Sequence, residues 1–171
     1  MRYWALTAIL LVAYLVQSVL GPFLAIAGVV PNVVLVVVVS YGLLFGWRIG
    51  LGMGFLGGLL IDLTIGQLIG SHALALGLVG LTGGLVEERV FKDNVLLAVL
   101  GGIVGSLIGQ VVMLLCIWLF GRSVSLVEFR STLLPSLIYD TLLCILVYRQ
   151  IFKLYAYLRP DPRGTIILRR R

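Results

Sequence analysis

An all-α membrane protein of six transmembrane helices, with N-terminus and C-terminus both in the cytoplasm, is predicted by three features of this sequence: its composition, its succession of apolar runs, and the uneven placement of its basic residues. Hydrophobic residues make up 61% of the 171 and charged residues only 12%, with a mean hydropathy of +1.16, outside the composition of a water-soluble domain. Lipid is therefore the main solvent, and in lipid a spanning segment must pair its own backbone groups, as a helix does. A net charge of +6 in a soluble protein would suggest nucleic acid. Here it reads as an orientation signal, and no nucleic-acid partner is expected.

The apolar runs fall at residues 3–20, 29–45, 49–66, 70–86, 95–120 and 132–148, most of them near the roughly 20 residues that cross a bilayer. Gly21-Pro22, Pro31 and the polar stretches 87–94 and 121–131 punctuate them, as helix ends are punctuated. Only Gly46-Trp47-Arg48 separates the second run from the third. One merged span would be too long for a single crossing, so a tight helical hairpin is expected. The first run is too long for a signal-peptide core and more membrane comes after it, so it is expected to be retained. Residues 1–154 form one transmembrane domain in this reading, and 155–171 a basic cytoplasmic tail.

Orientation follows from counting Lys and Arg on alternate sides. Arg2, Arg48, Arg89, Lys92, Arg149, Lys153, Arg159, Arg163, Arg169, Arg170 and Arg171 fall on one side, and only Arg122 and Arg130 on the other. The basic side faces the cytoplasm. Trp4, Trp47 and Trp118 lie near span ends, where amphipathic rings prefer the headgroup region. The tail's basic residues are expected to touch anionic lipid, and docking of a cytoplasmic partner there is a further reading.

Glycine is concentrated inside the spans: Gly46, Gly50, Gly54 and Gly58 at four-residue spacing, then Gly80 and Gly84, then Gly101, Gly105 and Gly109. Such stripes let helix backbones approach closely where apolar side chains gain little by leaving lipid. They serve packing within one chain or against another. The stripe Gly46, Gly50, Gly54, Gly58 is the best single candidate for a partner-facing surface, and self-association of the chain is also open.

Asp62 and Asp140 are carboxylates within apolar spans, each costing about 2.5–3.5 kcal/mol at a helix centre on insertion scales. The topology places them in the outer half with His72, Gln67, Gln17 and Asn32, while Ser136 stands one turn from Asp140 and Gly102, Ser106 and Gln110 form a weakly polar stripe on the fifth span. Three readings stay open for the cluster Asp62, His72, Asp140, Ser136 and Gln67: groups that cap helix ends and bond one another, an outward-open cavity in which Asp62 pairs with His72, or proton-coupled transport by that pair. No nucleophile with an oriented base, no phosphate-binding loop and no GxSxG is present, so no catalysis is expected. Cys116 and Cys144 sit in apolar runs as packing residues. With one His and no ligand spacing, neither metal nor cofactor is expected.

Pro31-Asn32 opening a Val/Leu-rich span, Gly42-Leu43-Leu44-Phe45-Gly46, then Gly54-Phe55-Leu56-Gly57-Gly58-Leu59-Leu60-Ile61-Asp62, and Gly70-Ser71-His72-Ala73-Leu74 succeed one another in an order that resembles the MreD family of bacterial rod-shape-determining proteins. The resemblance covers residues 31–74, with Pro31, Asn32, Gly58, Asp62, Gly70 and His72 as its characteristic positions; relatives often carry Asp where this chain has Asn32. It implies a scaffold of the cell-wall elongation machinery in the bacterial inner membrane, binding MreC and, through the complex, MreB filaments, the polymerase RodA and its transpeptidase. It also implies a bundle like the substrate-binding S-components of energy-coupling-factor vitamin transporters. Against this first reading stand a vitamin-binding transporter component, which would need a more specifically polar cavity and retain its ligand on purification, and a membrane enzyme of cell-wall metabolism, whose turnover would depend on Asp62, His72 and Asp140.

Overall fold

The computed structural model describes residues 2–25, 30–66, 69–86, 95–121 and 126–158, and among them the chain is all-helical. Helix α1 spans Arg2–Leu20 and runs into a 3₁₀ turn at Gly21–Leu24; α2 spans Val33–Phe45, α3 Trp47–Ile65, α4 Ser71–Val86, α5 Val95–Leu119 and α6 Leu126–Leu158. Three stretches, Tyr3–Leu20, Trp47–Ile65 and Leu96–Leu119, are long and apolar enough to cross a membrane. The pairs α1–α2, α3–α4 and α5–α6 run antiparallel, as Tyr41 with Leu6 and Val34 with Gln17, Gly50 with Gly80 and Gly58 with His72, and Ser106 with Asp140 and Gln110 with Ser136 require.

Helix α2 is the axis of the bundle. Every residue from Val34 to Leu44 is buried, the behaviour of a helix that is apolar on all sides. Its β-branched run would be a poor helix in water, and tertiary context overrides that propensity. Thirteen residues make it about 20 Å long, short of the roughly 30 Å hydrocarbon layer. Helix α2 begins at Val33, inside the expected run 29–45, directly after Pro31 and the capping residue Asn32, and it is covered along its length by the surrounding helices.

The single non-helical residue Gly46 turns α2 into α3 with φ of 93°, a conformation that only glycine adopts without strain. This is the expected tight hairpin. Helix α6 runs for 33 residues, about 50 Å, past both ends of the expected apolar run 132–148. Polar residues at both ends stop the hydropathy signal without stopping the backbone pairing. The helix also takes the first residues assigned to the tail, whose remainder, 159–171, lies outside the described residues.

Glycine decides the packing. A Cβ on Gly50 would run into the Gly80 carbonyl, one on Gly54 into that of Leu76, one on Gly58 into that of His72, and one on Gly84 into the Trp47 backbone. Helices α3 and α4 thus meet backbone to backbone along their length. Gly101, Gly105 and Gly109 of α5 form notches for Leu43, Val39 and Leu35 of α2, while Gly102 meets Thr141 and Cys144 of α6. Of the candidate partner-facing stripe Gly46, Gly50, Gly54, Gly58, the last three lie against α4 of the same chain, the packing within one chain that the sequence left open. The reason is stereochemical: Gly80 and Gly84 supply the matching gap.

At the start of α2 the side chains of three segments accept its orphan N–H groups. Asn32 Oδ1 accepts from Leu35 N at 3.0 Å, Gln17 Oε1 from Val34 N at 3.0 Å, and Asp140 Oδ1 from Asn32 N at 3.0 Å. Asn is among the strongest N-capping residues. Asn32→Ala is expected to cost about 1 kcal/mol, seen as a lower melting temperature in detergent with the fold retained.

Candidate functional site

The buried polar groups form two centres, and each serves a helix N-terminus. From Ser106 to the end of α5 at Leu119 is about 20 Å, so the pair Ser106–Asp140, level with the start of α2, lies deep below the tips of α5 and α6. At that depth no bulk water pairs a free N–H, and an unpaired one costs several kcal/mol.

In the first centre Asp62 of α3 reaches across to the start of α4. Its Oδ2 accepts from Gly70 N at 2.9 Å and Ala73 N at 3.0 Å; its Oδ1 accepts from His72 N at 3.1 Å and Ser71 Oγ at 3.4 Å. His72 Nδ1 lies 2.8 Å from the same Oδ1, with the Asp62 side chain 1% exposed and that of His72 22%. Three backbone donors and the positive end of the α4 dipole hold the negative charge. Gly70, with φ of 100°, takes a conformation that lets the chain bring these N–H groups round the carboxylate. Close by, the Tyr14 hydroxyl bonds Thr64 and ties α1 to the end of α3.

The second centre joins α2, α5 and α6. Asp140, 3% exposed, accepts from Asn32 N through Oδ1 and from Ser106 Oγ through Oδ2 at 2.9 Å. One and two turns outward, Gln110 Nε2 donates to Ser136, whose hydroxyl donates to Leu133 O at 2.9 Å. Thr141 Oγ1 is buried with no partner among the described residues.

The cluster expected from sequence is thus divided: Asp62 and His72 meet, Asp140 and Ser136 belong to the other centre, and Gln67 lies outside the described residues. Asp62 and His72 are side by side, with no outward-open cavity described around them. The reading in which these groups cap helix ends describes both carboxylates; which helix each one caps was not legible, although Pro and Gly breaks stand at the starts of α2 and α4. Both carboxylates are buried and engaged in accepting hydrogen bonds. Among the described residues no three of His, Cys, Asp and Glu gather as a metal site.

A different feature lies on the outside of the bundle. Between α4 and α5 an apolar groove of about 170 Å³ reaches down to Val39 and Leu43 of α2, with Gly83, Gly101 and Gly105 in its walls. Leu96, Leu100 and Val104 rise along its edge and are about half exposed. A dry apolar cavity of about 150 Å³ holds one benzene ring, so this groove accepts one bulky side chain.

A search of curated proteins and a search of solved structures returned no match to this chain. A family model does match, that of the rod shape-determining protein MreD, and it extends over residues 1–158, well beyond the 31–74 segment that carries the resemblance in sequence. With nearly the whole helical bundle covered, the chain belongs to the MreD family, membrane proteins that determine rod shape.

Proposed function

We propose that this protein is a non-catalytic scaffold of the rod-shape system in the bacterial inner membrane, with six crossings and both termini in the cytoplasm, and that its apolar outer surface binds the transmembrane helix of MreC. Through that contact it helps couple MreB filaments to RodA and its transpeptidase. Family membership and the eleven-to-two distribution of basic residues support the placement. The observation that carries the scaffold reading is the use of Asp62 and Asp140: the carboxylates at membrane depth are engaged by N–H groups of the chain's own helices. A general base or a ligand anchor needs a free lone pair directed at its substrate.

With the glycine face of α3 filled by α4, the surface best shaped for a partner helix is the groove between α4 and α5. A bulky side chain of a helix laid across Leu96, Leu100 and Val104 seats in it as a knob in a hole. Gly83→Leu tests this. A Cβ there meets Val39 O at 3.4 Å and Gly42 Cα at 3.7 Å, ordinary contacts, and the variant's melting temperature reports whether the larger side chain is accommodated. The expected result is loss of MreC from affinity-purified complexes with the variant's own melting temperature unchanged. Full recovery of MreC with folded Gly83→Leu would move the contact elsewhere, and a stoichiometric vitamin retained by the wild-type chain would overturn the scaffold reading itself.

A further inference from the structure

The end of α6 carries a second surface feature of different chemistry. Leu146, Val147, Arg149, Gln150 and Lys153 line a shallow cleft of about 560 Å³ on the outer side of the helix. Arg149 and Lys153 are exposed and stand one turn apart, and no carboxylate among the described residues pairs with either. Leu146, 66% exposed, lies one turn before Arg149 and continues the apolar exterior.

The depth of this cleft is marked by aromatic rings. Tyr157, one turn beyond Lys153 on the same helix, is 82% exposed, while on the opposite face Tyr148, Phe152 and Tyr155 pack with Phe45 and Tyr41 in the core and hold this end of α6 in place. Trp47 lies just beyond Phe45 at the same end of the bundle, with the Arg48 guanidinium over its ring at 5.2 Å. Tyr and Trp collect where hydrocarbon gives way to headgroups. A cleft at that level, apolar toward the bundle's middle and doubly cationic toward its end, is complementary to one kind of molecule.

We infer that Arg149, Gln150 and Lys153 bind the phosphodiester headgroup of an anionic phospholipid whose acyl chain lies along Leu146 and Val147. This rests on the membrane placement proposed above. The guanidinium presents a fork of donors to two phosphate oxygens, the ammonium adds a point charge, and the Gln150 amide donates to a further oxygen. The long stems of Arg149 and Lys153 cover the upper part of the chain and leave their charges at the headgroup. The site is a fixed one on the folded helix, distinct from the diffuse attraction of residues 159–171.

Native mass spectrometry of the full-length protein, released from vesicles of phosphatidylethanolamine and phosphatidylglycerol, tests the inference. One phosphatidylglycerol is expected to remain on each wild-type chain. A basic residue near the surface contributes roughly fivefold in affinity, so Arg149→Gln with Lys153→Gln should weaken retention by about 30-fold, while Arg149→Lys with Lys153→Arg keeps most of it. Arg169→Gln, Arg170→Gln and Arg171→Gln together should leave it unchanged. Equal retention by the Gln pair, loss in the tail variant alone, or displacement by inorganic phosphate at matched concentration would each overturn the site. Failure of the wild-type protein to enter vesicles at all would strike instead at the membrane placement.

Discussion

Gly50→Ala is expected to cost the bundle about 3 kcal/mol or more, whereas Gly52→Ala, two residues along the same helix, is expected to be neutral or slightly stabilising. The new methyl at position 50 would occupy the place of the Gly80 carbonyl and press on Gly42 Cα at 2.8 Å; at position 52 it would meet nothing within 4 Å. Overpacking a core usually costs about 1–3 kcal/mol because side chains yield. Here the obstacles are backbone atoms of α4 and α2, which move only if whole helices separate. Separation would also undo the contacts of Gly54 with Leu76 and Gly58 with His72. In the exposed position Ala gains up to about 1 kcal/mol of helix propensity over Gly. Thermal unfolding and gel filtration in detergent distinguish the two variants, and Gly50→Leu should yield no monodisperse protein. If Gly50→Ala melts with the wild type, α3 and α4 are not in backbone contact, and their glycine face is available to a partner after all.

That result bears on how the family's function is pursued. Loss of MreC on changing Gly50 or Gly54 would report an unfolded bundle, not a lost interface. Gly83 separates the two, since its Cβ meets α2 only at ordinary contact distance.

The long apolar helices were legible in the sequence because length and hydropathy are properties of a single segment: α1, α3 and α5 lie within two residues of the expected runs at either end. Helix α6 was not, since Glu128 and Arg130 near its start and Arg149 and Lys153 toward its end stop the apolar signal while the backbone goes on pairing. The glycine stripes were legible as packing faces, but a stripe does not name its counterpart. Only the fold sets Gly80 against Gly50. Likewise Asp62, His72, Asp140 and Ser136 stood out as polar residues in apolar surroundings, yet their division into two centres depends on where α2 and α4 begin. Their main partners are N–H groups that every residue but proline possesses, so a pattern of breaks and polar residues suggests capping without saying which helix start each carboxylate serves.

Asp62 and Asp140 are expected to respond very differently to the same isosteric change, although both are buried carboxylates in helices. At Asp62 both oxygens accept from backbone donors: Gly70 N and Ala73 N on Oδ2, His72 N on Oδ1. Asp62→Asn must turn its NH₂ toward one set or the other, so at least one backbone N–H loses its acceptor and faces a donor. An unpaired buried donor costs about 1–3 kcal/mol, and loss of the charge removes its interaction with the α4 dipole, about 0.3–1 kcal/mol or more when partly buried. A loss of roughly 3 kcal/mol is expected for Asn, and more for Asp62→Ala, which strands every donor. At Asp140 one oxygen accepts from Asn32 N and the other from the Ser106 hydroxyl. In Asp140→Asn the amide oxygen keeps the bond to Asn32 N, and Ser106 rotates to accept from the new NH₂, as a hydroxyl does both. The expected loss there is about 1 kcal/mol or less. Melting temperatures of the three variants in one detergent give the comparison. Wild-type stability of Asp62→Asn would remove the capping role at α4, and equal damage in Asp140→Asn would mean that Ser106 is held by something other than the carboxylate it touches.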